Sequence, residues 1–150
     1  MNLINLSGVS SCNIIDIARN GPSTIVLLKN FTSGANVSLS NIAEVDLPAL
    51  ENLELGNLIL SNNSFETFLV PHLNSVGSLQ IIDNSQLTII KFPNLEQIGG
   101  DETPSSDMLV IGNPLLQGIV MNRVSWIDGS VVLTGNLSTY VNRLSILRQF

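Results

Sequence analysis

The chain has 150 residues, 44% of them hydrophobic and only 12% charged, with a formal net charge of −6. That is enough chain and enough apolar side chain for one domain with a sizeable core, and it excludes a disordered polymer. Phosphate recognition needs clustered Lys and Arg; here two Lys and four Arg are scattered, which argues against a nucleic-acid partner.

The opening "MNLINLSGVSS" has no basic n-region and only a broken apolar stretch, so it makes a poor signal peptide. Cys12 is the sole cysteine and gives no internal disulfide. "CNIIDIARNGP" reads as an early rung or a degenerate cap, and residues 1–24 as a whole as a degenerate N-terminal rung or cap. "IVLLKN", from Ile25 to Asn30, reads as a strand, and "VSLSNIAEVDLP", from Val37 to Pro48, as a rung of a repeat.

From there the repeat is plain. Leu55-x-x-Leu58-x-Leu60-x-x-Asn63 is followed by Val76-x-x-Leu79-x-Ile81-x-x-Asn84, and the last rung keeps Val131-x-Leu133-x-x-Asn136. The rung between them leaves two choices, with either Met108/Val110 or Leu109/Ile111 inward, because a one-residue slip exchanges the faces. Pro48, Pro71 and Pro93 recur, each followed by an apolar pair: Leu50/Leu53, Leu73/Val76 and Leu95/Ile98, continued by Val124/Ile127. Asn41, Asn63, Asn84, Asn113 and Asn136 lie 21 to 29 residues apart, and the long interval holds the polar insert "DETPSSD". A period of this length with this pattern marks a leucine-rich solenoid. The expected fold is an all-β solenoid of five to six rungs of ~22 residues. Repeats should occupy residues 25–138, with 139–150 a divergent tail of the same single domain.

One rung cannot stand alone. Its roughly six aliphatic side chains are worth ~2 kcal/mol each, while ordering some twenty residues costs ~1–2 kcal/mol apiece. Stacking reverses the sign by sharing one core between rungs. Two readings of the recurring Asn stay open. Its amide, both donor and acceptor, can satisfy the backbone where the chain leaves the strand, forming a ladder. Alternatively, Asn simply tolerates left-handed turn geometry.

The segments "LPALENLELGNLILSNNSFETF", "VPHLNSVGSLQIIDNSQL", "FPNLEQIGG", "LVIGNPLL" and "IDGSVVLTGN" resemble the fungal GPI-anchored cell-wall-organisation proteins, sporulation-specific members included, which are built on receptor L-domain repeats. The similarity covers roughly residues 20 to 138. It implies a right-handed parallel β-solenoid, heavy glycosylation, residence at the plasma membrane and wall, and a role in wall integrity and morphogenesis. Partners implied are wall components or other surface proteins. No catalytic residue and no cofactor comes with the family. The chain departs from the pattern in lacking a clear signal peptide, an anchor signal ("NRLSILRQF" is none) and a cysteine pair. It reads as the later half of a family domain.

Candidate chemistry is sparse. No apolar run approaches the ~18 residues of a membrane span. The single histidine, His72, falls in an outward column with Ala49, Asn94 and Arg123. The neighbouring column reads Asn52, Ser75, Gln97 and Trp126. His72, Asn94, Arg123 and Trp126 therefore form a candidate binding face, with the indole as a platform for a glycan or protein; the competing reading packs Trp126 beneath the C-terminal tail. Metal sites want clustered His, Cys or carboxylates. The local acidic cluster, Asp101, Glu102 and Asp107, lies in the polar insert and reads as a solvated loop. "IGGDETPSS" lacks the Lys-Ser/Thr and helix of a phosphate loop. Parallel β-helices also serve as pectin-degrading enzymes, but Glu51 and Glu96 share a column with Asn74 between them. Two rungs apart, at ~4.8 Å each, they are marginal for a glycosidase pair. Candidate N-glycosylation acceptors are Asn5, Asn30, Asn36, Asn62 and Asn136, with Asn30, Asn36 and Asn62 favoured because Asn136 is also a ladder position.

Overall fold

The computed structural model describes residues 1–18, 21, 23–100 and 107–136, apart from the side chains of Glu54 and Leu55. These residues form strands and turns with no helix among them. A broad face is built from β2 (Ser11–Ile17), β4 (Ser33–Ser40), β6 (Asn52–Ser61) and β8 (Ser75–Ile82). It continues through two broken rungs: β10 (Gln97–Ile98) with β11 (Met108–Ile111), then β13 (Trp126–Ile127) with β14 (Val131–Thr134). A narrow face carries two three-stranded sheets. One is β1 (Asn2–Asn5), β3 (Thr24–Leu27) and β5 (Glu44–Asp46); the other is β7 (Thr67–Leu69), β9 (Ile89–Lys91) and β12 (Gly118–Val120).

The chain visits the two faces alternately, and the pairings are parallel. It is an all-β solenoid of about six coils. Residues 1–18, within the stretch expected as a degenerate rung or cap, supply β1 and β2 of the first coil.

The core runs along the axis between the faces. Val37, Leu58, Leu79 and Met108 form one inward column; Leu39, Leu60, Ile81 and Val110 form the next. All eight are fully buried. Met108 and Val110 therefore take the inward positions, and Leu109 and Ile111 face out, half-buried. Leu133 continues the second column and packs against the core, whereas Val131 in the last coil is 44% exposed.

The narrow side is filled differently. Phe31, Phe65, Phe68 and Phe92 are all buried. Phe68 stacks on Phe65, centroids 5.4 Å apart, and meets Phe92 edge-on at 5.8 Å. Such pairs add ~0.5–1.5 kcal/mol beyond burial. Turns close the corners: Leu28 C=O accepts from Phe31 N–H, and Phe92 C=O from Leu95 N–H.

The corner after each broad-face strand answers the question of the asparagines. Ser40, Ser61, Ile82, Ile111 and Thr134 are in register. The residue following each has a left-handed backbone: Asn41 (φ 55°), Asn62 (54°), Asp83 (55°), Gly112 (68°) and Gly135 (66°). These are the residue types that adopt that conformation most cheaply. The next position is the ladder. Asn136 Oδ1 accepts from Asn113 N–H at 3.0 Å, Asn113 Oδ1 from Asn84 N–H at 3.0 Å, Asn84 Oδ1 from Asn63 N–H at 2.9 Å, and Asn63 Oδ1 from Ile42 N–H at 3.0 Å. Each Nδ2 donates back to a strand carbonyl: Asn136 to Val110, Asn113 to Ile81, Asn84 to Leu60 and Asn63 to Leu39. Both readings of the Asn are thus realised, in adjacent columns. Asn41 is the correction: it occupies the left-handed column, and its neighbour Ile42, an acceptor-free side chain, terminates the ladder.

A second polar column lies at the entry to the same strands. Asn57 donates both N–H and Nδ2–H to Asn36 Oδ1 at 3.0 Å. Ser78 Oγ donates to Asp107 C=O at 3.2 Å, and Asp107 Oδ1 accepts from Ser130 N–H at 2.9 Å.

Between the two inward sets the register shifts. Leu53 pairs with Val76, then Asn57 with Ser78, so β6 holds three residues where β8 holds one. That bulge settles which leucine stands opposite Val76: it is Leu53, the proline-anchored one, and not Leu55. Gly56 sits in the bulge, where a Cβ would overlap the Ala35 carbonyl.

Candidate binding face

The L-x-x-L turn that follows each proline corner puts its two leucines inside and two residues outside. Leu50, Leu73, Leu95 and Val124 are buried, as are Leu53, Val76 and Ile98. Backbone bonds then tie the outer residues rung to rung: Asn74 N–H to Glu51 C=O, Glu96 N–H to Asn74 C=O, and Ser125 N–H to Glu96 C=O, at 2.8 to 2.9 Å. The register that follows places His72, Asn94 and Arg123 in one column, two residues earlier. It places Asn52, Ser75, Gln97 and Trp126 in another, as paired Cα partners.

The first column is wired. Asn94 Nδ2 donates to Pro71 C=O at 2.7 Å, and Arg123 Nη1 donates to Asn94 Oδ1 at 3.0 Å. Arg123 Nη2 also lies 3.2 Å from Glu96 Oε1, with the two side chains 58% and 55% exposed. So exposed a pair adds little to stability, but with Asn94 it orients the guanidinium. His72 is exposed. In the second column Ser75 Oγ donates to Asn52 Oδ1 at 3.1 Å, and Gln97 Nε2 to Gly99 C=O at 2.9 Å. Trp126 stands at the end of it, 49% exposed. The tail proposed to cover it, residues 139–150, lies outside the described residues.

Glu51 and Glu96 share the column inferred from spacing, and Glu96 is engaged by Arg123. Of the acidic insert, Asp101 and Glu102 lie outside the described residues. Asp107 spends its carboxylate on Ser130 N–H. Among the described residues no group of three or more His, Cys, Asp or Glu is placed to hold a metal ion. No described helix is long and apolar enough to cross a membrane.

The sequon asparagines fall into distinct settings. Asn62 is exposed at the left-handed corner. Asn5 is exposed, its Oδ1 accepting from Ser7 N–H, and Asn30 is exposed but donates Nδ2–H to Ser7 C=O at 2.7 Å. Asn36 is half-buried in the entry column, with two donors on its Oδ1. Asn136 has both ends of its amide in the ladder.

The second polar column and the phenylalanine cluster were not foreseen. A signal for the former existed: a short polar residue (Asn36, Asn57, Ser78, Asp107 or Ser130) precedes the first inward apolar residue of each rung.

Fold and face together define a leucine-rich, L-domain-like β-solenoid that presents polar columns laterally. Comparison with known proteins agrees. Protein ecm33 of Aspergillus fumigatus is 36% identical over 100 residues, covering 67% of this chain and 24% of that protein. A cell surface GPI-anchored protein of Arthroderma benhamiae is 26% identical over 126 residues, 83% of this chain and 31% of its own length. The chain is similar in sequence to these two fungal proteins, one of them by name a GPI-anchored protein of the cell surface, and spans about a quarter to a third of their length. No protein-family model matches it, and neither does any solved structure.

Proposed function

We propose that this chain is a non-enzymatic segment of a cell-wall or cell-surface glycoprotein, acting in the organisation and integrity of a fungal wall. The observation that carries the reading is the 36% identity to protein ecm33 across most of the repeat. The physics is compatible. A solenoid whose corner amides are satisfied along the axis is a rigid spacer, and its outer columns are open to partners in the wall. Its outward carboxylates Glu51 and Glu96 stand two rungs apart, roughly 10 Å, and Glu96 is tied to Arg123, which is not how an acid and a nucleophile face one sugar.

The test is fractionation of cells carrying an epitope-tagged copy of the gene, with wall-stress sensitivity after its deletion. Recovery in wall and membrane fractions, with hypersensitivity to wall-binding dyes, is expected. A soluble cytosolic pool with unaltered walls would overturn the reading. Turnover of glucan, chitin or pectin that is lost in Glu51→Gln or Glu96→Gln would replace it by an enzyme.

A further inference from the structure

We propose that the outward column Ser11, Ser33, Asn52, Ser75, Gln97 and Trp126 is a saccharide-binding strip that takes a neutral polysaccharide chain laid along the solenoid axis. The inference rests on the wall reading only for where such a chain would come from; its geometry stands independently. The six residues come from six successive coils and are consecutive Cα partners in one sheet. At ~4.8 Å per strand the column is straight for about 24 Å. That is the shape of an extended polymer with a period of about one sugar per rung, not of a compact ligand.

The chemistry fits the same ligand. The first five side chains are hydroxyls and carboxamides, groups that both donate and accept, as sugar hydroxyls do. None of the six is charged, and the adjacent Arg123 is already matched by Glu96. An acidic polymer finds no unmatched cation here, whereas a neutral one brings no charge to desolvate. The indole of Trp126, 49% exposed at the end of an otherwise polar column, offers an apolar plate for the C–H face of a sugar. At the other end Ser11, Ser33 and Asn52 border an open depression of ≈ 400 Å³, where Gly34 and Ala35 keep the floor low. The side chains are held before any ligand arrives: Asn52 by Ser75, and Gln97 by Gly99. Little ordering entropy is then lost on binding.

Trp126 is the only tryptophan in the chain, so its emission reports on the strip directly. The purified 150-residue chain is titrated with short oligomers of β-linked glucose, of β-linked N-acetylglucosamine and of galacturonate. A saturable emission change with either neutral oligomer is expected, insensitive to added salt because no ion pair forms. Calorimetry on variants should show binding abolished in Trp126→Ala and weakened about tenfold in Gln97→Ala, one lost hydrogen-bonding group being worth ~1–1.5 kcal/mol. Ser38→Ala, on an outward column beyond the bulge, should leave it unchanged. Should Trp126→Ala fail to fold, Gln97→Ala and Ser75→Ala carry the test. No binding of neutral oligomers, binding of galacturonate alone, or full affinity in Gln97→Ala and Ser75→Ala would overturn the strip. Loss on fractionation with a positive titration would instead fault the wall reading and leave the strip standing.

Discussion

Removing the amide of Asn84 should be among the costliest single changes in the molecule. Asn84 is fully buried. Its Oδ1 takes the Asn63 N–H at 2.9 Å, and its Nδ2 serves Leu60 C=O at 3.1 Å, Ile82 C=O at 3.2 Å and Asn113 Oδ1 at 3.1 Å. In Asn84→Ala the Asn63 N–H loses its acceptor where water has no access, and the Leu60 carbonyl loses a donor. Each buried orphan costs ~1–3 kcal/mol, so the sum is about 3–5 kcal/mol once the small cavity is included. The comparison is Asn136→Ala, in the same ladder but at its half-buried end. There water replaces the amide, and the cost should be about 1 kcal/mol. Urea unfolding followed by far-ultraviolet dichroism reads both. With m of ~1–3 kcal/mol/M, Asn84→Ala should lower the midpoint by more than ~1 M and Asn136→Ala by a fraction of that. Equal losses at the two positions, or a loss below ~1 kcal/mol at Asn84, would show that the ladder only accompanies the fold and does not hold it.

Gly56→Ala should cost more than ~3 kcal/mol or abolish folding, since its Cβ would sit inside the Ala35 carbonyl; unfolding midpoints decide it. Leu79→Ala, which empties a fully buried position in the central coil, should cost ~2–5 kcal/mol, against less than ~1 for Leu3→Ala, 57% exposed at the first strand. Expressed through a secretory host, the chain should carry glycan at Asn62 and none at Asn136, whose Nδ2 is committed to Val110 C=O at 2.7 Å; peptide mass mapping tests this. Arg123→Ala should change stability by less than ~1 kcal/mol, because its partner Glu96 is 55% exposed.

The periodic apolar positions made most of the fold legible. Leu58, Leu60, Leu79 and Ile81 could be placed from spacing because a strand with one buried face leaves a two-residue signature. The bulge was harder to place, since Leu53 and Leu55 both satisfy a leucine pattern opposite Val76. What decides between them is the close approach of Gly56 to the Ala35 backbone, a contact between coils that a single rung's pattern does not express. Asn41 misled for a related reason. Asn serves both the left-handed corner and the ladder next to it, so residue type alone leaves the alignment free by one. The flanking Asn62–Asn63 and Asp83–Asn84 pairs held the answer: each rung needs a left-handed residue and then a ladder residue, and Asn41–Ile42 fills only the first role with a polar side chain.

The two internal polar columns also bear on why the proposed strip lies on the outside of this solenoid. With the exit corner satisfied by Asn63, Asn84, Asn113 and Asn136, and the entry satisfied through Asn36, Asn57, Ser78 and Asp107, the outward positions are not needed to satisfy those corners. They are free to diverge, and they do. Beyond the bulge one outward column reads Asp16, Ser38, Ile59, Gln80, Leu109 and Val132, and the other Ser40, Ser61, Ile82, Ile111 and Thr134, so both mix polar and aliphatic side chains. The column before the bulge stays polar from Ser11 to Gln97 and changes character only at Trp126. A column that stays polar over five coils is what the proposed strip requires, while the interior repeats itself because the core admits little else.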